Sequence, residues 1–359
     1  MTDDILFDRT GSLATITLNR PKALNALTLE MLDAMDRQLV DWASDREVGC
    51  VLIRPAIGGR AFAAGGDIER LYRERGQPYT TTFFWDEYIV DWRIHHYAKP
   101  YVAFMDGIVM GGGVGVSVLG SVRVATENTV FAMPETGIGF FPDVGGGWFL
   151  PRLPGRLGRY LALTGSRLNG ADCCAVGLAD VYIPQERLDD AAELLGHLDA
   201  GASREAVMGV LDVFADKPPA AKISGLQPQI DRLFAGETVE EIFNTLFADK
   251  SDDAQKWAKA MSAKSPTSLK VALEQLRRGA SMSLDEVLTM EFRLSQAFCA
   301  DHDFFEGIRA LIVDKDNRPM WQPSTHAGVS DERVASYFLP AAAGELTFDP
   351  PKRRYDSGQ

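Results

Sequence analysis

The stretch YVAFMDGIVMGGGVGVSVLGSV, residues 101–122, decides between two very different folds, because it is as long and apolar as a membrane span. It also contains Asp106 and six glycines, which do not suit a membrane-spanning helix. Residues 101–105 form an apolar run typical of a buried strand, and a glycine-rich loop separates this run from a second apolar segment. We therefore predict a buried strand, a loop and a helix, and no membrane span.

Strand-like and helix-like segments alternate on both sides of this stretch. Residues 13–18 (LATITL) and 49–53 (GCVLI) are typical of short strands. Between them, Thr28 can cap a helix over residues 29–43, whose apolar positions keep helical spacing. Residues 123–133 (RVATENTVFAM) predict a strand, a turn and a second strand. Such alternation predicts an α/β core with mainly parallel strand pairing.

The strand signal ends at about residue 185, and helical patterns follow. They are predicted at residues 186–199, 204–214, 239–248, 252–262, 267–278 and 284–299. We therefore expect an α/β core over residues 1–190, a helical region over 191–325 and a tail over 326–359. The chain from about Trp321 onward is rich in proline, alanine and charge, so we expect it to be loosely packed.

Composition excludes several classes of function. The 37 basic and 50 acidic residues give a net charge of −13, which argues against a nucleic-acid partner. The four cysteines form no C-x-x-C pair and the five histidines form no H-E-x-x-H motif, so no metal site is expected. The acidic start does not resemble a secretory leader, and we expect a reducing, cytoplasmic location.

Three glycine-rich loops interrupt the core, at residues 61–68 (AFAAGGDI), 110–117 (MGGGVGVS) and 143–148 (DVGGGW). No G-x-G-x-x-G or GK[ST] pattern is present, so neither a dinucleotide site nor a P-loop is predicted. Any one loop is explained as well by a tight turn. Three loops before helix-like segments favour a site where backbone N–H groups from two loops hold one oxygen, as in an oxyanion hole.

Two acids lie in the apolar, glycine-rich run AMPETGIGFFPDVGGGW, residues 132–148. Glu135 and Asp143 are flanked by prolines and surrounded by apolar side chains. Carboxylates are almost never fully buried unless they are paired or functional. The alternative is that both acids cap helices or turns, as Asp and Glu beside Pro and Gly often do.

Several of these segments together resemble the enoyl-CoA hydratase/isomerase (crotonase) superfamily, and most closely its 3-hydroxyisobutyryl-CoA hydrolase branch. The segments are LNRPKALNALTLEM, AFAAGGDI, MDGIVMGGGVGVS and MPETGIGFFPDVGGGWFLPRL, and the likeness continues through LTMEFRLSQAF to about residue 325. The resemblance implies a crotonase-like spiral of ββα units followed by a helical C-terminal region. It implies no cofactor, since CoA is part of the substrate. It leaves monomer, trimer and hexamer open, although a homo-oligomeric trimer is common in the superfamily.

The resemblance also implies roles for the first two loops. The oxyanion hole would be formed by the N–H groups of Ala64 (or the adjacent glycine) and Gly112. The acyl-CoA substrate would run along the first loop and contact Gly65, Gly66 and Asp67. Asp67 is equally well placed to cap the following helix.

Hydratases of this superfamily use two glutamates, one after the GGG loop and one in the MPE-like segment. Here Glu135 stands at the second position, but Gly115 occupies the first, and water addition to a double bond needs two acid/base groups. The hydrolase branch shares this glycine and has an Asp at the position of Asp143 and an acid at the position of Glu87. The resemblance thus makes Glu135 and Asp143 catalytic and Glu87 the residue that binds the substrate's 3-hydroxyl group.

The expected reaction is thioester hydrolysis of 3-hydroxyisobutyryl-CoA, or of a close 3-hydroxyacyl-CoA such as the 3-hydroxypropionyl ester, in valine catabolism. Glu135 would act as general base or as a nucleophile that forms an anhydride. The alternatives are an enoyl-CoA isomerase or hydratase on the same scaffold, since isomerases also use one glutamate, and a non-catalytic acyl-CoA-binding protein.

Overall fold

The computed structural model describes residues 3–348, 351, 353 and 354. The chain forms two compact units, neither of which is continuous in sequence. The first unit comprises Met1–Gly66, Ile89–Phe131 and Leu168–Ser224, and the second comprises Asp67–Tyr88, Ala132–Arg167 and Gly225–Gln359. These boundaries differ from the sequential division expected near residues 190 and 325, because the chain passes repeatedly from one unit to the other.

The strands alternate between two sheets. In chain order they are β1 (Ile5–Thr10), β2 (Leu13–Leu18), β3 (Cys50–Pro55), β4 (Ala61–Ala63), β5 (Tyr101–Met105), β6 (Ile108–Met110), β7 (Val122–Ala125), β8 (Val130–Ala132), β9 (Leu168–Asn169) and β10 (Val181–Tyr182). The larger sheet has the order β1-β2-β3-β5-β7-β10, and the smaller has the order β4-β6-β8-β9. From β3 to β8, each strand of the larger sheet is therefore followed by a strand of the smaller one.

Helices follow these strand pairs. In chain order the α-helices are α1 (Leu29–Ser44), α2 (Ile68–Arg73), α3 (Pro78–His95), α4 (Gly112–Val118), α5 (Gly146–Phe149), α6 (Leu157–Thr164), α7 (Gly170–Val176), α8 (Leu188–Leu195), α9 (Arg204–Leu211), α10 (Lys222–Leu233), α11 (Val239–Ala248), α12 (Asp252–Ser262), α13 (Pro266–Gly279), α14 (Leu284–Ala300), α15 (His302–Ile308) and α16 (Asp331–Ser336). The result is a spiral of ββα units, as expected for the crotonase fold.

Strand pairing is mainly parallel, as predicted. The pairs β2–β3, β3–β5, β5–β7 and β7–β10 are parallel, whereas β1–β2 and β8–β9 are antiparallel. All five residues of β5 are buried. Residues 101–122 contain the predicted strand and helix, β5 and α4, but the expected loop between them includes the short strand β6. Among the described residues, no helix combines the length and apolar character needed to cross a bilayer.

Over residues 191–325, the predicted helical region, the helices follow the predicted pattern with two additions. α11 and α12 have the predicted bounds, and Thr28 caps α1 by accepting a hydrogen bond from the Met31 N–H. The predictions omitted α10, which contains Pro228, and the short α15. A proline inside a helix removes one N–H donor and often breaks the helix, so a helix containing Pro228 is difficult to predict from sequence.

The described part of the tail is packed, which corrects the expectation of a loose segment. Tyr337 and Phe338 are buried, and the Tyr337 ring lies 4.6 Å from that of Phe298. The Thr289 hydroxyl donates to the Leu346 carbonyl over 3.2 Å. Residues 349, 350, 352 and 355–359 lie outside the described residues.

Candidate active site

The first unit brings two of the three glycine loops together. Helix α4 begins at Gly112, whose N–H group lies in the first turn and therefore has no partner within the helix. A Cβ on Gly113 would lie 2.3 Å from the Ala63 carbonyl oxygen, and one on Gly65 would lie 3.8 Å from the Met110 carbonyl oxygen. The start of α4 is thus in contact with the end of β4 and the loop that follows it.

Ala64 is not the oxyanion donor, which corrects the first alternative taken from the resemblance. Its N–H group already donates to the Leu24 carbonyl over 3.0 Å, so it cannot point at a ligand. Of the N–H groups that the resemblance assigned to this loop, those of the adjacent glycines remain as candidates. Gly65 has a φ of 113°, a conformation that glycine adopts at no steric cost.

Asp67 has a structural function. Its carboxylate accepts a hydrogen bond of 3.1 Å from the Arg70 N–H and thereby caps helix α2. This is the alternative that the sequence left open, and the geometry gives no support to a role in substrate binding.

Glu135 lies in the second unit, in a buried 3₁₀ helix, Glu135–Ile138, that follows Pro134. Its Oε2 atom is buried without a hydrogen-bond partner among the described residues. Burial raises the pKa of Glu135 well above its usual value, and the nearby charge of Asp143 raises it further. Such a carboxyl group is suited to take up and release a proton near neutral pH.

Asp143 is buried beside Glu135 and has a partner that the sequence did not single out. The Tyr88 hydroxyl donates a hydrogen bond of 3.1 Å to the Asp143 Oδ2 atom. Burial raises the pKa of Asp143 to about 7, although the hydrogen bond from Tyr88 opposes the rise. The structure therefore brings the two predicted catalytic acids into electrostatic contact.

Glu87 precedes Tyr88 on helix α3 and is buried as well. Burial raises the pKa of Tyr88, and the charges of Asp143, Glu291 and Glu87 raise it further. Glu87 thus lies in the same acidic cluster as Asp143. Whether it binds a substrate hydroxyl stays a prediction.

Glu291, on helix α14, belongs to this cluster and was missed by the sequence analysis. It is fully buried, and its two oxygens accept hydrogen bonds of 2.8 Å from the N–H groups of Gly145 and Gly147. The Gln275 side chain on α13 donates to Glu291 over 2.9 Å. Burial raises the pKa of Glu291 to about 8, and these donors oppose the rise.

Lys264 is a second residue that the sequence did not indicate. Its Nζ atom lies 2.9 Å from the point where a Cβ on Gly137 would be, so it reaches the segment that carries Glu135. Burial lowers the pKa of Lys264, and the charge of Glu135 opposes this. Lys264 in turn lowers the pKa of Glu135.

Aromatic side chains surround the acids of the second unit. Phe140 and Phe141 lie between Glu135 and Asp143 in sequence, and both are buried. Phe140 stacks on Phe84 at 5.3 Å, and Phe141 stacks on Phe298 at 5.5 Å. The segment between the two acids is thus part of an aromatic core, and burial is the leading cause of the raised pKa values of both acids.

In the part of the chain that the structure describes, no cluster of three or more His, Cys, Asp or Glu residues could hold a metal ion. The first unit supplies the backbone N–H donors described above, and the second unit supplies the carboxyl groups. The model of the enoyl-CoA hydratase/isomerase family matches residues 13–338.

The chain belongs to the enoyl-CoA hydratase/isomerase family.

Relatives within the family carry different names. A protein of Danio rerio named "3-hydroxyisobutyryl-CoA hydrolase, mitochondrial" is 49% identical over 342 residues, which cover 93% of this chain and 89% of that protein. Among solved structures, a carnitinyl-CoA dehydratase from Mycobacterium thermoresistibile is 41% identical with a TM-score of 0.90, covering 97% of this chain and 100% of that one. An enoyl-CoA hydratase from Rhodobacter sphaeroides is 38% identical with a TM-score of 0.89, covering 96% and 100%.

Proposed function

We propose that the protein hydrolyses the thioester of 3-hydroxyisobutyryl-CoA, or of a close short 3-hydroxyacyl-CoA, to the hydroxy acid and CoA in valine catabolism. The observation that carries the proposal is the buried pair Glu135 and Asp143, together with Gly115 on α4 where a hydratase needs its second glutamate. The name of the Danio rerio relative agrees with this activity.

The chemistry follows from the charges that develop. The thioester carbonyl oxygen accepts hydrogen bonds from Gly112 and from Gly65 or Gly66, which stabilise the negative charge formed on attack. Glu135 either takes a proton from the attacking water or attacks the carbonyl carbon to give an anhydride that water then opens. Asp143 orients the water or delivers a proton to the departing thiolate. Glu87 accepts a hydrogen bond from the 3-hydroxyl group and thereby rejects acyl chains that lack it.

Water addition to an enoyl-CoA is the second candidate, because the two solved structures above are named as a dehydratase and a hydratase. Both activities share the oxyanion hole and one glutamate. They differ in the bond that is changed, so one pair of substrates separates them.

Three further properties belong to the proposal. The enzyme needs no cofactor, and it assembles as a homo-oligomer, which sedimentation equilibrium of the purified protein tests. We also propose a cytoplasmic location. The relative is named mitochondrial, and the free thiols of Cys50, Cys173, Cys174 and Cys299 suit any reducing compartment, so fractionation of the source cells tests this point.

The deciding experiment incubates the protein separately with 3-hydroxyisobutyryl-CoA and with crotonyl-CoA. Release of free thiol and loss of the enoyl absorbance are followed. We expect thiol release from the first substrate alone, reduced by at least about 1,000-fold in Glu135→Gln. Loss of the enoyl absorbance without thiol release would mean hydration, and the roles given to Asp143 and Glu87 would be wrong.

A further inference from the structure

Asp143 lies at the start of a turn whose backbone is strained. The next residue, Val144, has a φ of 51°, and Gly145 has a φ of 85°. A left-handed conformation is unusual for a β-branched residue and persists only where the surroundings enforce it. Something outside residues 143–147 must therefore hold this turn.

The holding contacts come from two helices of the C-terminal half. Glu291 on α14 accepts hydrogen bonds of 2.8 Å from the N–H groups of Gly145 and Gly147, so one carboxyl group fixes the second half of the turn.

Gln275 on α13 fixes the other side of Asp143. Its Nε2 group donates to the Pro142 carbonyl over 2.7 Å and to the Glu291 Oε1 atom over 2.9 Å. Both acceptors are oxygens, so a rotated amide would place its own oxygen against them and is excluded. Pro142 before Asp143, and Gly145 and Gly147 after it, are therefore bonded to one connected pair of side chains.

Packing leaves the turn little freedom to move away from these helices. A Cβ on Gly147 would lie 3.1 Å from the Glu291 Oε1 atom and 3.2 Å from the Gln275 Cγ atom. Glu291 and Gln275 are fully buried. The contact therefore belongs to the packed interior and is not one between surface groups.

We propose that Glu291 and Gln275 are positioning residues that hold the 142–147 turn and thereby aim Asp143 at the reacting thioester. The inference rests on the proposed function, because Asp143 is given its catalytic role there. It gives the C-terminal helices α13 and α14 an indirect role in catalysis, which they exert through the position of Asp143 and not through contact with the substrate.

The test compares three variants of the full-length protein. In Glu291→Gln the side chain keeps one acceptor oxygen and loses the other, and in Gln275→Met both donor contacts are lost. Glu286→Gln on the same helix is the matched control, because glutamine also satisfies the capping box that Glu286 forms with Ser283. Thiol release, circular dichroism and amide hydrogen exchange are measured for each.

We expect kcat to fall about 100-fold in Glu291→Gln and in Gln275→Met, with KM changed by less than about twofold, as for a misplaced catalytic group. In Glu291→Gln the pH–rate profile should shift to lower pH, because the variant cannot develop the negative charge that Glu291, with a pKa of about 8, acquires above neutral pH and that raises the pKa of Glu135. The charge of Glu291 also raises the pKa of Tyr88. A variant that had merely lost folded protein would keep the wild-type profile.

Hydrogen exchange tests the anchoring without using activity. The Gly145 and Gly147 amides should exchange at least about tenfold faster in Glu291→Gln, while the β2 and β3 amides keep their wild-type rates. Wild-type kcat in Glu291→Gln, an unshifted pH profile, or unchanged exchange at both glycines would each overturn the inference. If the wild-type protein releases no thiol, the proposed function is wrong. The hydrogen-exchange rates of Gly145 and Gly147 would still show whether Glu291 holds the 142–147 turn.

Discussion

Glu135 is buried, its pKa is raised, and one of its oxygens has no hydrogen-bond partner among the described residues. These three properties lower the free energy of unfolding, which a residue with a purely structural role would not do. The sequence revealed this residue because an acid in an apolar, glycine-rich run has few structural explanations. Active sites commonly carry such locally unfavourable groups, and their removal often raises stability.

Glu135→Gln is therefore expected to be inactive and more stable than wild type at alkaline pH. A pKa raised in the folded state gives stability that is present at low pH and is lost as the pH rises through the folded-state pKa. The neutral amide does not ionise, so the gain should grow between pH 5 and 9 to about 1–3 kcal/mol. Urea unfolding at several pH values measures it. The exposed Glu193→Gln is the control, and a gain that is independent of pH would contradict the argument.

Tyr88→Phe tests whether the hydrogen bond from Tyr88 lowers the pKa of Asp143. The Tyr88 hydroxyl lowers the pKa of Asp143, so its loss should raise that pKa above the present value of about 7. The limb of the kcat–pH profile that reports Asp143 should then move by about one pH unit to higher pH. Tyr97→Phe, which loses a hydroxyl bond to the Leu39 carbonyl, should leave the limb in place. A limb that moves to lower pH would show that the hydrogen bond does not stabilise the carboxylate.

Glu291 shows what single-sequence reasoning overlooked at this scale. In the helix LDEVLTMEFRLSQAFCA the buried positions 284, 287, 291, 294 and 298 follow the 3–4 spacing of a core stripe, and Glu291 is the charged member. That signal was present in the sequence. The partners of Glu291, two backbone N–H groups more than 140 residues away in the chain, could not be deduced from it.

At the level of elements, the glycine loops were located correctly, but the assignment of a single N–H donor was not. Loop position follows from strand and helix patterns, which are local. The choice between Ala64 and its neighbours depends on the hydrogen bond from Ala64 to Leu24, a contact across 40 residues. Likewise, the predicted strand–turn–strand at residues 123–133 is present, yet β7 and β8 belong to different sheets.

Gly113→Ala tests the contact between the start of α4 and β4. The added methyl group would lie 2.3 Å from the Ala63 carbonyl oxygen, so backbone must shift and the oxyanion donors must separate. We expect about 3 kcal/mol of destabilisation and about 100-fold lower kcat. Gly209→Ala on α9 has no atom within 4 Å of its new Cβ and should be slightly more stable, with unchanged kcat. Full activity of Gly113→Ala would refute the proposed geometry of the hole.

At the level of the whole molecule, the order of strands and helices was predictable, whereas the compact units were not. A change from alternating patterns to helices near residue 190 suggested a boundary there. The first unit nevertheless continues to Ser224, and the hydrophobic cluster beneath the larger sheet contains side chains from both sides of the expected boundary. They include Leu13, Leu52, Val102 and Val124 from the strands and Leu195, Val207 and Leu211 from the helices.

Leu195→Ala tests whether helix α8 belongs to the α/β core, because two adjacent leucines of this helix lie in different surroundings. Leu195 is fully buried in the cluster of the larger sheet, whereas Leu194 is 36% exposed. If α8 completes the α/β core, Leu195→Ala should lower the free energy of unfolding by about 2–5 kcal/mol. Leu194→Ala should cost less than about 1 kcal/mol, since little apolar surface is lost from the interior. Equal, small effects in urea unfolding would mean that α8 folds independently of the sheet, and the boundary near residue 190 would then describe the molecule better than the one at Ser224.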